Sequence, residues 1–284
     1  MYTYKIGNIN LALSGCKNEY VLNQMKKYLC PCDKVHATID IKFHNTTFSI
    51  PQSNIVAQWE YELWTSVNGN RSYYLFFPEV EGAVIKVDFD KTFKNIVFNA
   101  YDVKKNLNID DSAFFFNTLS HIFHFIALKN GSLVYHSSSV SHKGRGIAFS
   151  ADSGVGKSTH TSLWMKYISD CEYINDDTPL IYKQDDKIYI SGTPFAGTSG
   201  INNNISVPLR AIVFLQRDKE NFIEKITTLQ AFPLMMEQIK TPFDTELVDC
   251  ALSIIGDILK NVSIYKLRCN MEPEAAFTSF EILD

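Results

Sequence analysis

A glycine-bearing stretch between an apolar segment and a helical pattern constrains this chain more than any other feature. Residues 149–159 have the sequence Phe-Ser-Ala-Asp-Ser-Gly-Val-Gly-Lys-Ser-Thr. Gly154 and Gly156 lack a Cβ, so the backbone can curl around an anion at close range, and successive N–H groups then point at phosphate oxygens. The stretch matches the pattern G-x-x-x-x-G-K-[ST] except at Ala151, which stands where the first glycine is usual. The sequence therefore predicts a phosphate-binding loop.

The segments on either side of the stretch support this prediction. Residues 146–149 are apolar and indicate a buried strand that enters the loop. After the loop, Leu163, Trp164, Tyr167 and Ile168 recur at helical spacing. Phosphate binding needs this order of strand, loop and helix, because the helix N-terminus adds partial positive charge. The alternative is a glycine-rich turn before an ordinary helix.

The loop and the first helical turn supply the predicted nucleotide-binding residues. In this pattern the Lys157 ammonium reaches the β- and γ-phosphates, and the Ser158 hydroxyl ligates Mg²⁺. We therefore expect ATP and Mg²⁺ as cofactors, and the sequence leaves open whether another phosphoryl donor replaces ATP. The predicted contacts to the nucleotide are Ser153, Gly154, Val155, Gly156, Lys157, Ser158 and Thr159.

Two adjacent aspartates form the second candidate site. Asp176 and Asp177 follow a short apolar segment downstream of the loop. A carboxylate at a strand end beside a phosphate loop can hold Mg²⁺ directly or through water, and a second one can accept the proton of an attacking hydroxyl. We place Asp176 with Ser158 at the metal, but the sequence does not decide which aspartate is the base. The alternative is a solvated turn, as we expect for residues 185–186.

The predicted organisation is a β-rich N-terminal domain over residues 1–110 and a catalytic domain over residues 111–284. The run 113–128 is apolar on most faces and predicts a buried helix. Helical spacing predicts two further helices at residues 229–239 and 246–259. Alternating or apolar runs predict strands at residues 38–43, 84–89, 95–98, 209–215 and 263–267.

Composition and charge exclude several classes of function. The 284 residues carry a net charge of −4 with no long basic run, which argues against nucleic acid as the main partner. No apolar run of about 18 residues occurs, so we expect no membrane partner. Six cysteines without a secretion signal predict free thiols in a reducing cytoplasm. A homo-oligomer is left open.

Three pieces of the sequence together resemble the catalytic domain of HPr kinase/phosphorylase and the wider ATP-type phosphoenolpyruvate carboxykinase-like superfamily. Residues 152–158, Asp-Ser-Gly-Val-Gly-Lys-Ser, are similar to that family's loop nearly letter for letter. His136 stands 16 residues before Asp152, at the spacing of the family's active-site histidine. The pair Asp176 and Asp177 is similar to the family's paired aspartates. The resemblance covers about residues 130–217.

Closer relatives of unassigned role share more of this region. Their loop helix often has Ser-Thr-His-Thr followed by Leu-Trp, as residues 158–164 have here. Residues 175–177 and 208–215 are also similar to theirs. The resemblance implies a mixed-sheet α/β P-loop core of the HPr kinase/carboxykinase type, joined to the β-rich N-terminal portion.

The resemblance also implies roles for individual residues in phosphoryl transfer with Mg²⁺. Lys157 and its loop would hold the phosphates, and Ser158 with one aspartate would hold the metal. The other aspartate would handle the proton together with His136. The pair of aspartates would titrate as a unit.

The sequence departs from the family in the segment that follows the aspartates. It has no Glu-x-Arg-Gly signature in residues 191–202, and Phe195 and Thr198 stand where closer relatives carry a Trp and a Lys or Arg. Loss of that cation would weaken the stabilisation of charge on the transferring phosphoryl group. Arg210 and Arg217 are candidates to replace it.

The function predicted first is therefore an ATP- and Mg²⁺-dependent kinase. Its acceptor would be a hydroxyl of an unidentified small molecule, peptide or protein. One alternative is an HPr-type protein serine kinase/phosphorylase, which the missing signature disfavours. A carboxykinase proper would require further metal ligands and an arginine cluster. The alternative from another class is a nucleotide-binding regulator with little turnover, which the absence of the cation favours.

Overall fold

The computed structural model of the chain describes residues 1–77, 80–107, 110, 112–240 and 244–283. It forms two compact units. Unit 1 holds Met1–Lys5 and the described residues of Ile9–Asn130, and unit 2 holds Ile6–Asn8 and the described residues from Gly131 onward. Both units combine helices with a mixed sheet, so the prediction of an α/β fold is confirmed at this level.

Unit 1 is built on an eight-stranded sheet in the order β1-β2-β3-β8-β7-β6-β5-β4 among the described residues. The pairs β2/β3 and β3/β8 are parallel, and the pairs from β8 to β4 are antiparallel. The strands are β1 (Tyr2–Ile6), β2 (Ile9–Ser14), β3 (Ala37–His44), β4 (Ile55–Gln58), β5 (Glu62–Val67), β6 (Asn70–Phe76), β7 (Ala83–Phe89) and β8 (Asn95–Tyr101), and the helices are α1 (Glu19–Met25), α2 (Val103–Leu107) and α3 (Ser112–Lys129).

The buried helix predicted over residues 113–128 is confirmed as α3, and it belongs to unit 1. Its Phe115 ring lies 4.5 Å from that of Phe98, and its Phe125 ring lies 5.2 Å from that of Trp64. Such aromatic contacts add to the free energy gained by burying the rings. The boundary between the two compact units lies after α3, between residues 130 and 131. The domain boundary predicted from the sequence lies before this helix, between residues 110 and 111.

Unit 2 is built on a nine-stranded sheet, with the path β12-β10-β11-β15-β14-β13-β9 and with β17 pairing to both β15 and β16 among the described residues. The strands are β9 (Ser132–Val134), β10 (Ser138–His142), β11 (Arg145–Ser150), β12 (Cys171–Asn175), β13 (Leu180–Gln184), β14 (Lys187–Ser191), β15 (Ser206–Arg217), β16 (Phe222–Lys225) and β17 (Ser263–Cys269). The helices are α4 (Lys157–Tyr167), α5 (Thr228–Glu237), α6 (Thr245–Asn261) and α7 (Pro273–Phe280).

The directions of the strands in unit 2 place the carboxyl ends of four of them at one edge of the sheet. β11 is parallel to β15, and β15 is parallel to β17. β10 is antiparallel to both β11 and β12, so β12 also runs parallel to β11. The carboxyl ends of β11, β12, β15 and β17 therefore meet at the same edge, which in open α/β sheets is where ligands bind.

Helix α4 is fixed between the sheet and α7 by a fully buried tryptophan. The Trp164 ring lies 5.5 Å from that of Phe149 in β11 and 5.7 Å from that of Phe280 in α7. Burial of large aromatic rings is a main source of core stability. This packing holds the N-terminus of α4 at the carboxyl end of β11.

No helix within the described residues is long and apolar enough to cross a membrane.

Candidate functional site

The glycine loop, residues 151–156, joins β11 to α4 as the sequence predicts. Gly154 and Gly156 have φ angles of 80° and 126°, which side chains other than glycine rarely adopt. The Val155 N–H donates to the Asp152 carbonyl at 3.2 Å, which closes a tight turn. Gly156 is the N-cap of α4 and has no side chain with which to cap the first N–H groups. Those groups are the ones that helix N-termini offer to anions.

Lys157 begins α4 and turns back over the loop. Its Nζ donates to the Ala151 carbonyl at 2.8 Å and to the Asp152 carbonyl at 3.4 Å, and the residue is 8% exposed. Burial lowers the pKa of the Lys157 ammonium, and the nearby charges of Asp177, Asp152 and Asp176 oppose that shift. The positive charge therefore lies inside the loop, among acidic groups.

The remaining predicted nucleotide contacts lie on the open side of the loop. These residues lie in the second half of the glycine loop and in the first turn of α4, next to the backbone N–H groups at the helix N-terminus. The exposed members are Ser153, Gly154, Ser158 and Thr159, and Val155 and Gly156 are half-buried.

His136 and Asp177 face each other at the edge of the sheet. His136 Nε2 lies 3.6 Å from Asp177 Oδ1, and both side chains are 36% exposed. Burial lowers the pKa of His136, an effect to which Lys157 adds and which Asp177 opposes. Burial also raises the pKa of Asp177, although His136 and Lys157 oppose this. The lowered pKa of His136 favours the neutral imidazole, and the raised pKa of Asp177 makes its carboxylate more basic. Both groups can therefore take part in proton transfer.

Asn175 sets the conformation of the turn that carries the aspartates. Its fully buried side chain accepts from the N–H groups of Asp177 at 2.9 Å and Thr178 at 2.7 Å. Its amide nitrogen donates to the Thr193 carbonyl at 3.0 Å. A buried amide with its donors and acceptors satisfied holds the backbone in one conformation. Asp177 is therefore positioned by Asn175 as well as by β12.

Asp176 points into a different network from that of Asp177. It is 7% exposed, and its Oδ1 accepts from Ser138 Oγ at 2.6 Å. Ser138 Oγ also bonds Thr161 Oγ1 of α4 at 2.8 Å. The carboxylate is thereby tied to the helix that carries Ser158. Sequence reasoning missed Ser138 and Thr161, and the polar run of serines after His136 was the one signal that pointed there.

The chemistry of Ser158 and Asp176 suits Mg²⁺. Both offer hard oxygen ligands, and Mg²⁺ in nucleotide sites takes few protein ligands and completes its shell with water and phosphate oxygens. Among the described residues, no group of three or more His, Cys, Asp or Glu side chains is arranged to hold a metal ion. The magnesium ligands thus remain a prediction that rests on these two residues.

The segment after the aspartates brings a backbone rather than a cation to Asp177. Gly197 has a φ angle of 58°, and a Cβ there would lie 3.1 Å from Asp177 Cγ. Phe195 is buried, and its carbonyl accepts from the Thr178 hydroxyl. Thr198 is exposed. Gly197 therefore packs against the Asp177 side chain, and residues 192–200 contain no Lys or Arg.

Of the two arginines considered as replacements, Arg217 reaches the glycine loop. Its Nε donates to the Val155 carbonyl at 3.0 Å, and its Nη2 donates to the Gly154 carbonyl. Arg210 lies on the same strand, β15, with its side chain exposed. Arg217 therefore binds two backbone carbonyls of the loop through its side-chain N–H donors.

Comparison with known proteins adds little to this geometry. No protein-family model matches the chain, and no curated protein is significantly similar to it. One of the solved structures found is that of the Hpr(Ser) kinase/phosphatase from Coxiella burnetii. It is 9% identical with a TM-score of 0.29, and the match covers 53% of this chain and 86% of that one. At this TM-score the likeness supports no argument about function.

Proposed function

We propose that this chain binds a nucleoside triphosphate with Mg²⁺ at the glycine loop and transfers the terminal phosphoryl group to a hydroxyl. The observation that carries this proposal is the convergence of the Lys157 ammonium with Asp177 and His136 beside a loop of P-loop sequence. Phosphoryl transfer depends mainly on positioning and charge stabilisation. A buried cation, a glycine loop and a carboxylate–imidazole pair at one sheet edge supply the parts needed for both.

In this proposal the two aspartates have separate roles. Asp176, held by Ser138, faces α4 and serves with Ser158 as a ligand of Mg²⁺. Bound Mg²⁺ would neutralise charge on the β- and γ-phosphates. Asp177 accepts the proton of the attacking hydroxyl, because it has the raised pKa and lies 3.6 Å from His136. His136 stabilises the proton on this pair as the bond to the acceptor forms.

A nucleotide-binding regulator with little turnover is the second candidate. It is favoured by the exposed Thr198 and by a segment 192–200 that contains no cation. Transition-state charge would then be stabilised less than in an efficient kinase. The two candidates differ in turnover and agree on nucleotide binding.

The deciding experiment uses γ-labelled ATP and Mg²⁺ with the purified protein and follows both label transfer and hydrolysis. Hydrolysis needs no knowledge of the acceptor. We expect turnover by the wild type and none by the double variant Asp176→Asn/Asp177→Asn. The matched control is Asp185→Asn/Asp186→Asn, which changes an exposed pair in the β13–β14 turn. An extract of the source cells supplies candidate acceptors. ATP binding by the wild type without hydrolysis, and without label transfer to any component of this extract, would reject the kinase in favour of the regulator.

Arg217 provides a further test of how the loop is held. Arg217→Ala removes two donors from the Gly154 and Val155 carbonyls, so we expect the affinity for ATP to fall about ten-fold, as for the loss of about 1.4 kcal/mol. Arg217→Lys should restore only part of it, because lysine lacks the planar fork of donors. Arg210→Ala, on the same strand, is the control. Equal calorimetric affinities for both alanine variants would contradict a positioning role for Arg217.

A further inference from the structure

A cavity of about 470 Å³ lies beside the glycine loop, bounded by the loop, the carboxyl-terminal part of β15, β17 and helix α5. Leu215 of β15 and Leu267 of β17 pack with Trp164 of α4 in the core on one face of the sheet. Successive residues of a strand point to opposite faces. Phe214 and its register partner Lys266 therefore lie on the other face, and both line the cavity. The volume is within the range of small-molecule pockets.

The cavity borders the groups that the proposed transfer uses. Gln238, at the end of α5, lines the cavity, and its carbonyl accepts the His136 N–H at 3.0 Å. Loop residues 151–152 also line it, and their carbonyls accept from Lys157 Nζ at 2.8 and 3.4 Å. The acceptor hydroxyl must lie between a phosphate held by Lys157 and the pair of Asp177 and His136. A molecule in this cavity therefore has the reacting groups next to it.

Lys266 lies near these groups in the register of the sheet. Ser150 of β11 pairs with Phe214 of β15, and Phe214 pairs with Lys266 of β17. Two strand spacings, about 10 Å, therefore separate the backbones of Ser150 and Lys266. Ser150 Oγ donates to the His136 carbonyl at 2.8 Å. One small molecule can thus contact the Lys266 ammonium with one end and the pair of Asp177 and His136 with the other.

Within the part of the chain that the structure describes, the Lys266 ammonium makes no hydrogen bond or ion pair. The residue is half-buried. Glu224 stands opposite it in register on β16, but this side chain is exposed and does not reach ion-pair distance. An ammonium partly shielded from water interacts more strongly with an anion than one in bulk solvent. A carboxylate or phosphate of a ligand would therefore gain a charge-assisted hydrogen bond here.

The other charged groups of the cavity wall leave Lys266 as the group that selects the ligand. Arg217 directs its Nε and Nη2 to carbonyls of the glycine loop. Asp152 and Glu237 are exposed, so water and salt screen their charges. An anion bound at Lys266 would also lie in the field of the Arg217 charge.

We propose that this cavity binds the phosphoryl acceptor and that the acceptor is a small alcohol with an anionic group, a carboxylate or a phosphate, held by Lys266. The inference rests on the proposed function, since it takes the transfer to occur at Lys157 and Asp177. The acceptor oxygen forms a bond to the γ-phosphorus, the bond from that phosphorus to the β–γ bridging oxygen breaks, and Asp177 takes the hydroxyl proton. The products are a phosphate monoester and a nucleoside diphosphate.

The test offers the wild type, with γ-labelled ATP and Mg²⁺, the small molecules of a source-cell extract from which charcoal has removed nucleotides. Before the reaction, an anion-exchange resin divides them into a retained, anionic fraction and an unretained one, and the macromolecules form a third sample. We expect labelled organic phosphate from the retained fraction. Alkaline phosphatase, applied to this fraction and removed before the reaction, abolishes transfer if the anionic group is a phosphate and preserves it if the group is a carboxylate.

Substitution of Lys266 tests its role with the same retained fraction. Lys266→Met keeps the apolar stem but removes the charge. We expect the amount of the fraction needed for half-maximal transfer to rise about ten-fold or more, the effect of one charge-assisted hydrogen bond. Lys266→Arg should restore part of the loss, because it restores the charge. The matched control is Lys225→Met, which changes an exposed lysine of β16 that pairs with Tyr265 on the opposite face of the sheet.

Label transfer without preference for the retained fraction, or hydrolysis without transfer, would overturn the inference and leave nucleotide turnover at the loop in place. Neither hydrolysis nor transfer would overturn the proposed function, and the inference with it. Wild-type dependence on the retained fraction in folded Lys266→Met would overturn the assignment to Lys266. Thermal unfolding shows whether this variant is folded, and the wild-type fractions decide the acceptor class even if it is not.

Discussion

Replacement of Asp177 by Asn is expected to lower the turnover of ATP by about 10²–10⁴-fold, the usual effect of losing a general base. The amide keeps the shape of the side chain but cannot take up a proton at this step. The turn itself should persist, because Asn175 binds the backbone N–H groups of residues 177 and 178 and not the carboxylate. The loss should therefore appear in kcat and not in the fold.

The affinity for ATP separates a lost base from a damaged site in this variant. Asp177 places negative charge near Lys157, so its neutralisation should leave ATP binding unchanged or make it tighter. Steady-state kinetics with saturating ATP and Mg²⁺, together with calorimetry, measure the two effects. Asp176→Asn is the comparison variant. We expect it to need a higher Mg²⁺ concentration than the wild type to reach half-maximal turnover. A wild-type kcat in Asp177→Asn would assign the proton to another group.

The glycine loop and its flanking elements could be predicted because their signals are local. Positive φ angles at Gly154 and Gly156, an apolar strand before them and helical spacing after them are all encoded within a short stretch. The same holds for α3, whose apolar run gives both its ends. What α3 packs against is not encoded in its own run: its ring contacts include Phe98 in the preceding strand β8 and Trp64 in the more distant strand β5.

Strand β10 shows why part of the candidate site could not be predicted. Its residues, Ser138–His142, are mostly polar, yet all are buried. Two of its serines bond distant partners: Ser138 bonds Asp176 and Thr161, and Ser139 bonds the Asn175 carbonyl at 2.9 Å. Hydropathy patterns do not indicate a buried strand whose polar groups are paired across the sheet. The proposed separation of the aspartates into metal ligand and base depends on these contacts.

The sequence left open whether Arg210 or Arg217 replaces the missing cation. Of the two, Arg217 is the one that the structure shows in contact with the glycine loop. Both residues lie on β15, but at different positions along the strand. Arg217 stands at the carboxyl end of the strand, where the glycine loop crosses the sheet edge, and Arg210 stands earlier. Position along a strand relative to a loop from another strand is set by register, here between β11 and β15. Register is a tertiary property that a single sequence does not reveal.

Removal of the Lys157 side chain is expected to weaken ATP binding by about 10–150-fold, since a charge-assisted hydrogen bond to phosphate contributes about 1.5–3 kcal/mol. The ammonium now donates to the carbonyls of residues 151 and 152. A triphosphate on the loop would offer it charged oxygens instead of neutral ones, which are the stronger acceptors. Lys157→Ala loses this exchange and leaves the aspartates without a nearby cation.

A matched control lies on the same helix. Lys166, in the last turn of α4, is exposed and far from the loop in sequence, so Lys166→Ala should keep wild-type affinity. Alanine is the best helix former, and thermal unfolding of both variants would show that α4 is intact. If Lys157→Ala and Lys166→Ala bind ATP equally well by calorimetry, the triphosphate does not lie on the glycine loop. That result would remove the kinase and the regulator together, because both require the nucleotide at Lys157.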